Sequence, residues 1–378
     1  MKTKLLFIFG SMNGGGAERV LLDLLSNLDY SRYEVDLCLI ISEGILLPEV
    51  PRQVRIISLW KSYTLYYKIA LRASTIFRNQ YLFKRILNKK IKDVYDVEIS
   101  FIEGVPLKLH AIRRSDARKF TWVHIDLFNF HYTRNLFFKG EELAAYNQMD
   151  AVISVSKNTQ KAFEKRCPQC TSDKLVIYNP IDIKKIKRMA NEVEVEREEE
   201  LKRKNVFTIV TIGRLTLLKR MDRLFHLAAR LKKEEIKIKI QLIGDGELKE
   251  KLLLLRKELG VEKEVEMCDF LHNPFPFLKR ADLLVSCSAH EGFGLSLCEA
   301  MALGVPVVST KTAGPMEIIG DNEFGLLCEQ DDESIYQAIK RMMDDELLRE
   351  EYSKKGLERA QDFSVEKMIK DFNDLVRG

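Results

Sequence analysis

The sequence has no apolar run of 18 or more residues, so it offers no membrane-spanning helix. Its opening MKTKLLFIFGS is too short, and too soon followed by glycines, to read as a secretory leader; its apolar residues are expected to form a buried first strand. The C-x-x-C of Cys167 and Cys170 lacks a second ligand pair at zinc spacing, which leaves it as a coincidence in a surface loop. The seven cysteines are odd in number and lie in apolar runs such as VDLCLII and LLVSCS, which fits reduced, buried thiols in a cytoplasmic protein. A P-loop is missing, as is any nucleic-acid recognition motif. Acid is missing from one long segment: Val50 to Lys92 contains none, against eleven basic residues interleaved with Trp60, Tyr63, Tyr66, Tyr67, Phe77, Tyr81 and Phe83. Such a stretch suits an anionic partner.

What is present is apolar material for two cores. At 378 residues and 46% hydrophobic content the chain suits two domains. The charge divides with them: up to residue 190 there are 31 Lys+Arg against 19 Asp+Glu, or +12, and the remaining 30 against 37 give −7. Apolar runs of strand character (KLLFIFG, VDLCLII, VRIISL, DVEISFI, FTWVHI, AVISVS, KLVIYNP) alternate with helical patterns such as AERVLLDLLSNL. Alternation of this kind favours parallel sheets covered by helices. The pattern closes at Pro180, and the charged, apolar-poor residues 181–204 read as a linker or solvated connecting helix. It restarts with FTIVTIG, IKIQLIGDG, VEMCDF, DLLVSCS and VPVVST, giving a second unit over 205–363 and a last amphipathic helix over 364–378. The expected fold is α/β, with two Rossmann-like, doubly wound domains facing across a cleft.

In such sheets ligands lie beyond the carboxyl ends of the strands. In GSMNGGGAERV, Gly15 and Gly16 let backbone approach a ligand at a helix N-terminus, where amides and dipole favour an anion, although a plain tight turn reads as well. In GRLTLLKRMD, Arg214 and Lys219 stand five apart and suit one diphosphate, Arg as a fork and Lys as a point charge, with Arg220 competing for the second place. In LIGDGEL, Gly244 follows a strand in the same way. In HEGFGLSLCE, Gly292 and Gly294 break any continuous helix, so Glu291 belongs to a loop and Glu299 to the helix after it. Two carboxylates so placed accept bonds from hydroxyls, as a nucleotide sugar would offer. His124 ends the strand FTWVHI and is the histidine expected to meet a substrate; His290, beside Glu291, comes second, and the others read as structural.

Together GGGAER, GRLTLLKRMD, GDGEL, the E-x7-E pattern from Glu291 to Glu299 and EAMALGVPVVST followed by AGPMEII make the sequence resemble a retaining glycosyltransferase of family 4 with GT-B architecture, along nearly its whole length. The resemblance implies a nucleotide-sugar donor in the C-terminal domain and an acceptor in the N-terminal one. It implies that Arg214 and Lys219 hold the donor diphosphate, Glu299 the ribose hydroxyls, and Glu291 with the backbone of Phe293, Gly294 and Leu295 the transferred sugar. Gly15 and Gly16 would approach the phosphates, Gly244 the nucleotide, and His124 the sugar. It further implies front-face displacement with retained anomeric configuration, and the absence of a D-x-D motif agrees with a family that generally needs no metal or other cofactor. Asp269 and Ala313 replace glycines common in relatives, which leaves UDP as the default nucleotide rather than a deduction.

The expected activity is transfer of a hexose or N-acetylhexosamine from a UDP-sugar to a saccharide acceptor, lipid-linked, in cell-surface polysaccharide or glycoconjugate synthesis. The acid-free segment 50–92 suits an anionic membrane surface, which would place the enzyme peripherally on the cytoplasmic face; a solvated basic helix pair is the plainer reading. Two other functions share the fold: a nucleotide-sugar epimerase, which would need no acceptor, and a non-catalytic nucleotide-sugar-binding subunit, which would lack some of these handles. Nucleic acid is not an expected partner.

Overall fold

The computed structural model describes residues 2–192 and 206–377. The chain divides into two compact units, one running to Pro180 and resuming at Val365, the other running from Ile181 to Ser364.

In the first unit the strands are β1 (Thr3–Phe9), β2 (Tyr33–Ile41), β3 (Arg55–Trp60), β4 (Val97–Ser100), β5 (Arg118–Val123), β6 (Ala151–Ser154) and β7 (Asp173–Val176). They form one parallel sheet in the order β3-β2-β1-β4-β5-β6-β7. Helices on both faces explain why β1 reads as a continuous apolar run: Leu5, Leu6, Phe7 and Ile8 are wholly buried. The chain leaves the centre in one direction through β2 and β3 and returns to the other side of β1 at β4, so a switch point lies between β1 and β4. The last helix, Val365–Arg377, belongs to this unit. Its Phe372 stacks on Phe7 at 6.1 Å, Tyr33 Oη donates to Asn373 at 2.7 Å, and Arg118 donates to the carbonyls of Val376 and Leu375.

The second unit repeats the plan with β8 (Phe207–Ile212), β9 (Ile238–Ile243), β10 (Val265–Cys268), β11 (Leu283–Ser286), β12 (Val307–Thr310) and β13 (Leu326–Cys328). The order is β10-β9-β8-β11-β12-β13, again parallel, with the switch point between β8 and β11.

Two expectations need correction. Residues 181–192 are not a free connection: helix Ile183–Met189 buries Ile186, Asn273 donates to the Met189 carbonyl and Lys279 to Asn191, so its apolar face joins the second unit; residues 193–204 of the expected linker lie outside the described residues. Cys167 and Cys170 are not in a surface loop either, since both are buried in the core beneath β6 with Tyr146 and Phe163, where burial pushes the Cys167 thiol up to about 11. Among the described residues no helix is long and apolar enough to cross a membrane.

Candidate functional site

In the second unit the loops after β8 and β11 flank the switch point, and they carry the expected handles. Lys219, from the first, forms an ion pair with Glu291, from the second, across 72 residues of sequence. Both side chains are partly buried, at 27% and 18% exposure, so the pair lines the surface rather than the core. Arg214 stands exposed in the same loop. Arg220, the competitor, is committed elsewhere: it takes a left-handed φ of 46° and its guanidinium pairs with Asp222 at 3.0 Å, which turns it away from Glu291.

Close backbone contacts hold these loops. The amide of Ala289 donates to Leu218, tying the two loops together at 2.8 Å. Gly244 passes so near Gly213 that a Cβ would overlap the Gly213 carbonyl, and Gly246 lies as close to Leu215, where a Cβ would meet the carbonyl oxygen at 2.6 Å. The Leu215 amide donates to Asp245 and the Leu248 amide to Leu215. Gly244 is thus required by loop packing, whatever it does for a ligand.

Gly294 has φ 105° and caps helix Leu295–Ala302 without a side-chain bond, and its carbonyl accepts the Leu297 amide at 3.0 Å. Phe293 is buried and packs edge-on against Phe363 at 5.3 Å. Glu299 lies half-buried within the helix. Two neighbours lie in and just before the AGPMEII segment, and the sequence alone assigns neither of them a role. Gly314 donates its amide to the Glu291 carbonyl at 3.0 Å and has no room for a Cβ beside Phe293. Thr312 keeps a buried hydroxyl with no hydrogen-bond partner among the described residues. Of the two departures, Asp269 pairs with Lys249 at 2.6 Å in an exposed position, and Ala313 opens helix Ala313–Ile319.

In the first unit Gly15 is the N-cap of helix Gly16–Asn27 and makes no side-chain cap. The carboxylate of Glu18 folds over it, which puts an acid beside the amides expected to meet phosphate. The loop itself is braced at Gly44, with φ 130°, where a Cβ would overlap the Met12 carbonyl, while Met12 N–H donates to Glu43 at 2.9 Å.

His124 follows β5 and is held from three sides. Its amide donates to Glu103 Oε2 at 2.9 Å, its Nε2 meets the Phe101 carbonyl at 3.0 Å, and its ring packs on Phe101 at 5.5 Å. The carbonyl accepts only a proton-bearing Nε2, so the neutral ring leaves Nδ1 as an acceptor. Burial depresses its pKa to about 4, against the favourable Phe101 bond, so the ring is neutral at pH 7. Glu103 is nearly wholly buried, and burial raises its carboxyl above the usual range although His124 N–H and Tyr132 O–H both bond to it. The visible signal for Glu103 is an acid just past the apolar strand DVEISFI, followed at once by glycine.

The acid-free segment forms helices Leu65–Ile76 and Tyr81–Lys90 after β3. Its aromatics divide: Trp60, Tyr67 and Phe83 pack edge-on in the core at 5.2 and 6.0 Å, whereas Tyr63, Tyr66, Phe77 and Tyr81 remain exposed with Leu65 and Ile69.

The family described as "Glycosyltransferase Family 4" matches residues 14–185, and that described as "Glycosyl transferases group 1" matches 192–359. A 4-alpha-N-acetylgalactosaminyltransferase of Campylobacter jejuni, acting on N-acetylgalactosamine-N,N'-diacetylbacillosaminyl-diphospho-undecaprenol, is 33% identical over 228 residues, 60% of each chain. An uncharacterized glycosyltransferase of Methanocaldococcus jannaschii is 30% identical over 264 residues, 62% of this chain. The matched parts thus span 60% and 64% of these two relatives' own lengths. A second C. jejuni enzyme, an alpha-1,4-N-acetyl-D-galactosaminyltransferase named for a diphospho-undecaprenol-linked saccharide, is 25% identical over 99% of this chain and 98% of its own. Among solved structures, Anabaena HepE in complex with UDP and glucose superposes with a TM-score of 0.78 at 21% identity, covering 99% of each chain, and so shares the fold.

Proposed function

The chain belongs to the GT-B glycosyltransferases of the family 4 kind, and from that premise we propose that it transfers a hexose or N-acetylhexosamine from a UDP-sugar to a lipid-linked saccharide with retained anomeric configuration. The observation that carries this reading is the Lys219–Glu291 pair beside exposed Arg214 at the switch point of the second sheet. A diphosphate is a dianion and a sugar is a set of hydroxyls. Two cations and a carboxylate at adjoining strand ends match that combination.

On this reading Lys219 exchanges its bond to Glu291 for a diphosphate oxygen, and Arg214 takes the same group as a fork. Glu291, released from the lysine, accepts hydroxyls of the sugar, together with the amides at the start of helix Leu295–Ala302. Glu299 takes the ribose hydroxyls. As the glycosidic bond breaks, negative charge grows on the leaving phosphate, which removes the proton of the incoming hydroxyl on the same face. The fixed cations and amides stabilise that charge without reorganising, so catalysis is a matter of position and electrostatics. No metal is needed on this reading, because Arg214 and Lys219 supply the positive charge.

The test is a donor screen by calorimetry, followed by mass measurement of a diphospho-undecaprenol-linked saccharide incubated with the donor that binds. A mass gain of one glycosyl unit is expected. Binding of UDP-sugars with release of an epimerised sugar and no acceptor product would favour the epimerase reading.

The relatives' lipid-linked acceptors also support a peripheral place on an anionic membrane, at its cytoplasmic face. Helix Tyr81–Lys90 exposes Lys84, Arg85, Lys89 and Lys90 beside exposed Phe77 and Tyr81. At roughly 1 kcal/mol per basic residue near such a surface, replacing all four by glutamine is expected to weaken binding to phosphatidylglycerol vesicles by about 1000-fold. Unchanged co-sedimentation would remove the membrane from the reading.

A further inference from the structure

Gln330 is an exposed residue two positions beyond β13, the edge strand of the second sheet. From there its side chain reaches back across the end of β12 to the loop that carries Glu291. Nε2 donates to the Lys311 carbonyl at 3.2 Å and to the Ala289 carbonyl at 3.1 Å. Two carbonyl oxygens are both acceptors and cannot bond to each other, so they are joined only by a group with two hydrogens on one atom. A primary amide is such a group.

The Ala289 contact matters because of what else holds that backbone. The peptide unit from Ser288 to Ala289 is planar and bonded at both ends: the Ser288 carbonyl accepts from Thr310 Oγ1 at 2.6 Å, and the Ala289 amide donates to Leu218 at 2.8 Å. The next unit, from Ala289 to His290, has its carbonyl held by Gln330. With both units fixed, the direction in which the chain enters Glu291 is fixed as well.

These bonds close a ring. Arg223, nearly wholly buried near the start of helix Asp222–Lys233, donates Nη2 to the main-chain carbonyl of Gln330, with its Nε 3.6 Å from Asp332. The path runs from Leu218 along the chain to Arg223, then to Gln330, to Ala289 and back to Leu218. Lys219 lies within this path, and Glu291 two residues beyond it.

We propose that Gln330 is a positioning residue for sugar transfer: by holding the Ala289 carbonyl it sets the placement of the Glu291 carboxylate against Lys219. This rests on the glycosyltransferase reading and adds to it a residue from outside the loops that bear the handles. Its action is indirect, through Ala289. Water replaces a lost donor at this exposed position without fixing a direction, so placement depends on the amide and folding does not.

Gln330→Met keeps the length of the side chain and loses its donors, and Gln330→Glu keeps the shape and loses them too. Both are expected to lower kcat by about tenfold, with donor KM and thermal midpoint little changed, and the loss is expected to be at least as large in Gln330→Glu, whose carboxylate repels both carbonyls. A double-mutant cycle separates placement from general structure. In a Lys219→Ala background Gln330→Met is expected to cost less than about twofold, because the pair it places is gone. Hydrogen exchange of the free protein needs no donor: the Ala289 amide is expected to exchange about tenfold faster in Gln330→Met. Parental kcat in both variants, effects that add in the cycle, or unchanged exchange at Ala289 would each overturn the proposal. Failure of the wild type to bind UDP-sugars would instead defeat the glycosyltransferase reading, since the exchange measurement on the ring does not depend on it.

Discussion

Replacing Lys219 by alanine is expected to lower transfer by about 100- to 1000-fold, the loss typical of one preorganised group that stabilises charge developing in the transition state. The ammonium reaches the site from a loop braced by the Gly244 and Ala289 contacts, so its position is set before any donor arrives. Its removal leaves Glu291 without its paired ammonium, and the freed carboxylate then opposes the approach of a diphosphate. Stability should change little, because the pair lies at 27% and 18% exposure and neither charge is stranded in the core. Lys219→Arg is expected to keep part of the activity, since it retains charge but substitutes a planar fork for a compact point charge. The measurement is kcat with the donor found by screening, together with a thermal midpoint. Near-parental turnover in Lys219→Ala would remove this lysine from the site.

The second large effect is expected from Gly314→Ala, and here the sign is informative. Gly314 lies in helix Ala313–Ile319, where alanine would ordinarily be favoured over glycine by about 1 kcal/mol. The structure predicts the reverse, because a Cβ at this position would overlap the carbonyl oxygen and Cα of Phe293. Those are backbone atoms and cannot swing aside. To admit the methyl group the 291–294 loop must shift, which unseats buried Phe293 from Phe363 and breaks the 3.0 Å bond from Gly314 to the Glu291 carbonyl. Overpacking of this kind costs about 1–3 kcal/mol, and the lost contacts add to it. Denaturant midpoints and UDP-sugar affinity are both expected to fall. The neighbouring Ala313→Gly serves as the control, with a small effect on either. A Gly314→Ala protein as stable as the parent, with the same donor affinity, would show that the loop does not depend on this contact.

Much of the fold and of the loops at the candidate site is legible in the amino-acid sequence. The strands announce themselves as apolar runs because their central members are buried on both faces, as Leu5 to Ile8 are in β1. The glycine loops and the E-x7-E pattern are legible because their chemistry is local: a glycine before a helix, or two acids separated by an apolar turn, keeps its meaning in isolation. The close approaches at Gly44 and Gly314 are not, since the segments that press on them, at Met12 and Phe293, come from elsewhere in the chain. Glu103 is hidden for the same reason; an acid after a strand has no evident use until His124 and Tyr132 are seen bonded to it. Composition also misleads at Cys167 and Cys170 and at Trp60, Tyr67 and Phe83, whose burial depends on which faces the neighbouring elements cover.

The sequence alone therefore determined the two α/β units, the loops that bear chemistry and the family to which they belong, because periodicity and short motifs are fixed by residues near one another in the chain. Tertiary structure decided which of two adjacent cations meets Glu291, by giving Arg220 to Asp222 and Lys219 to Glu291. It also decided that Glu103 holds both His124 and Tyr132. Such choices join residues tens of positions apart, and only strand order and the burial of charge select among the partners the sequence offers.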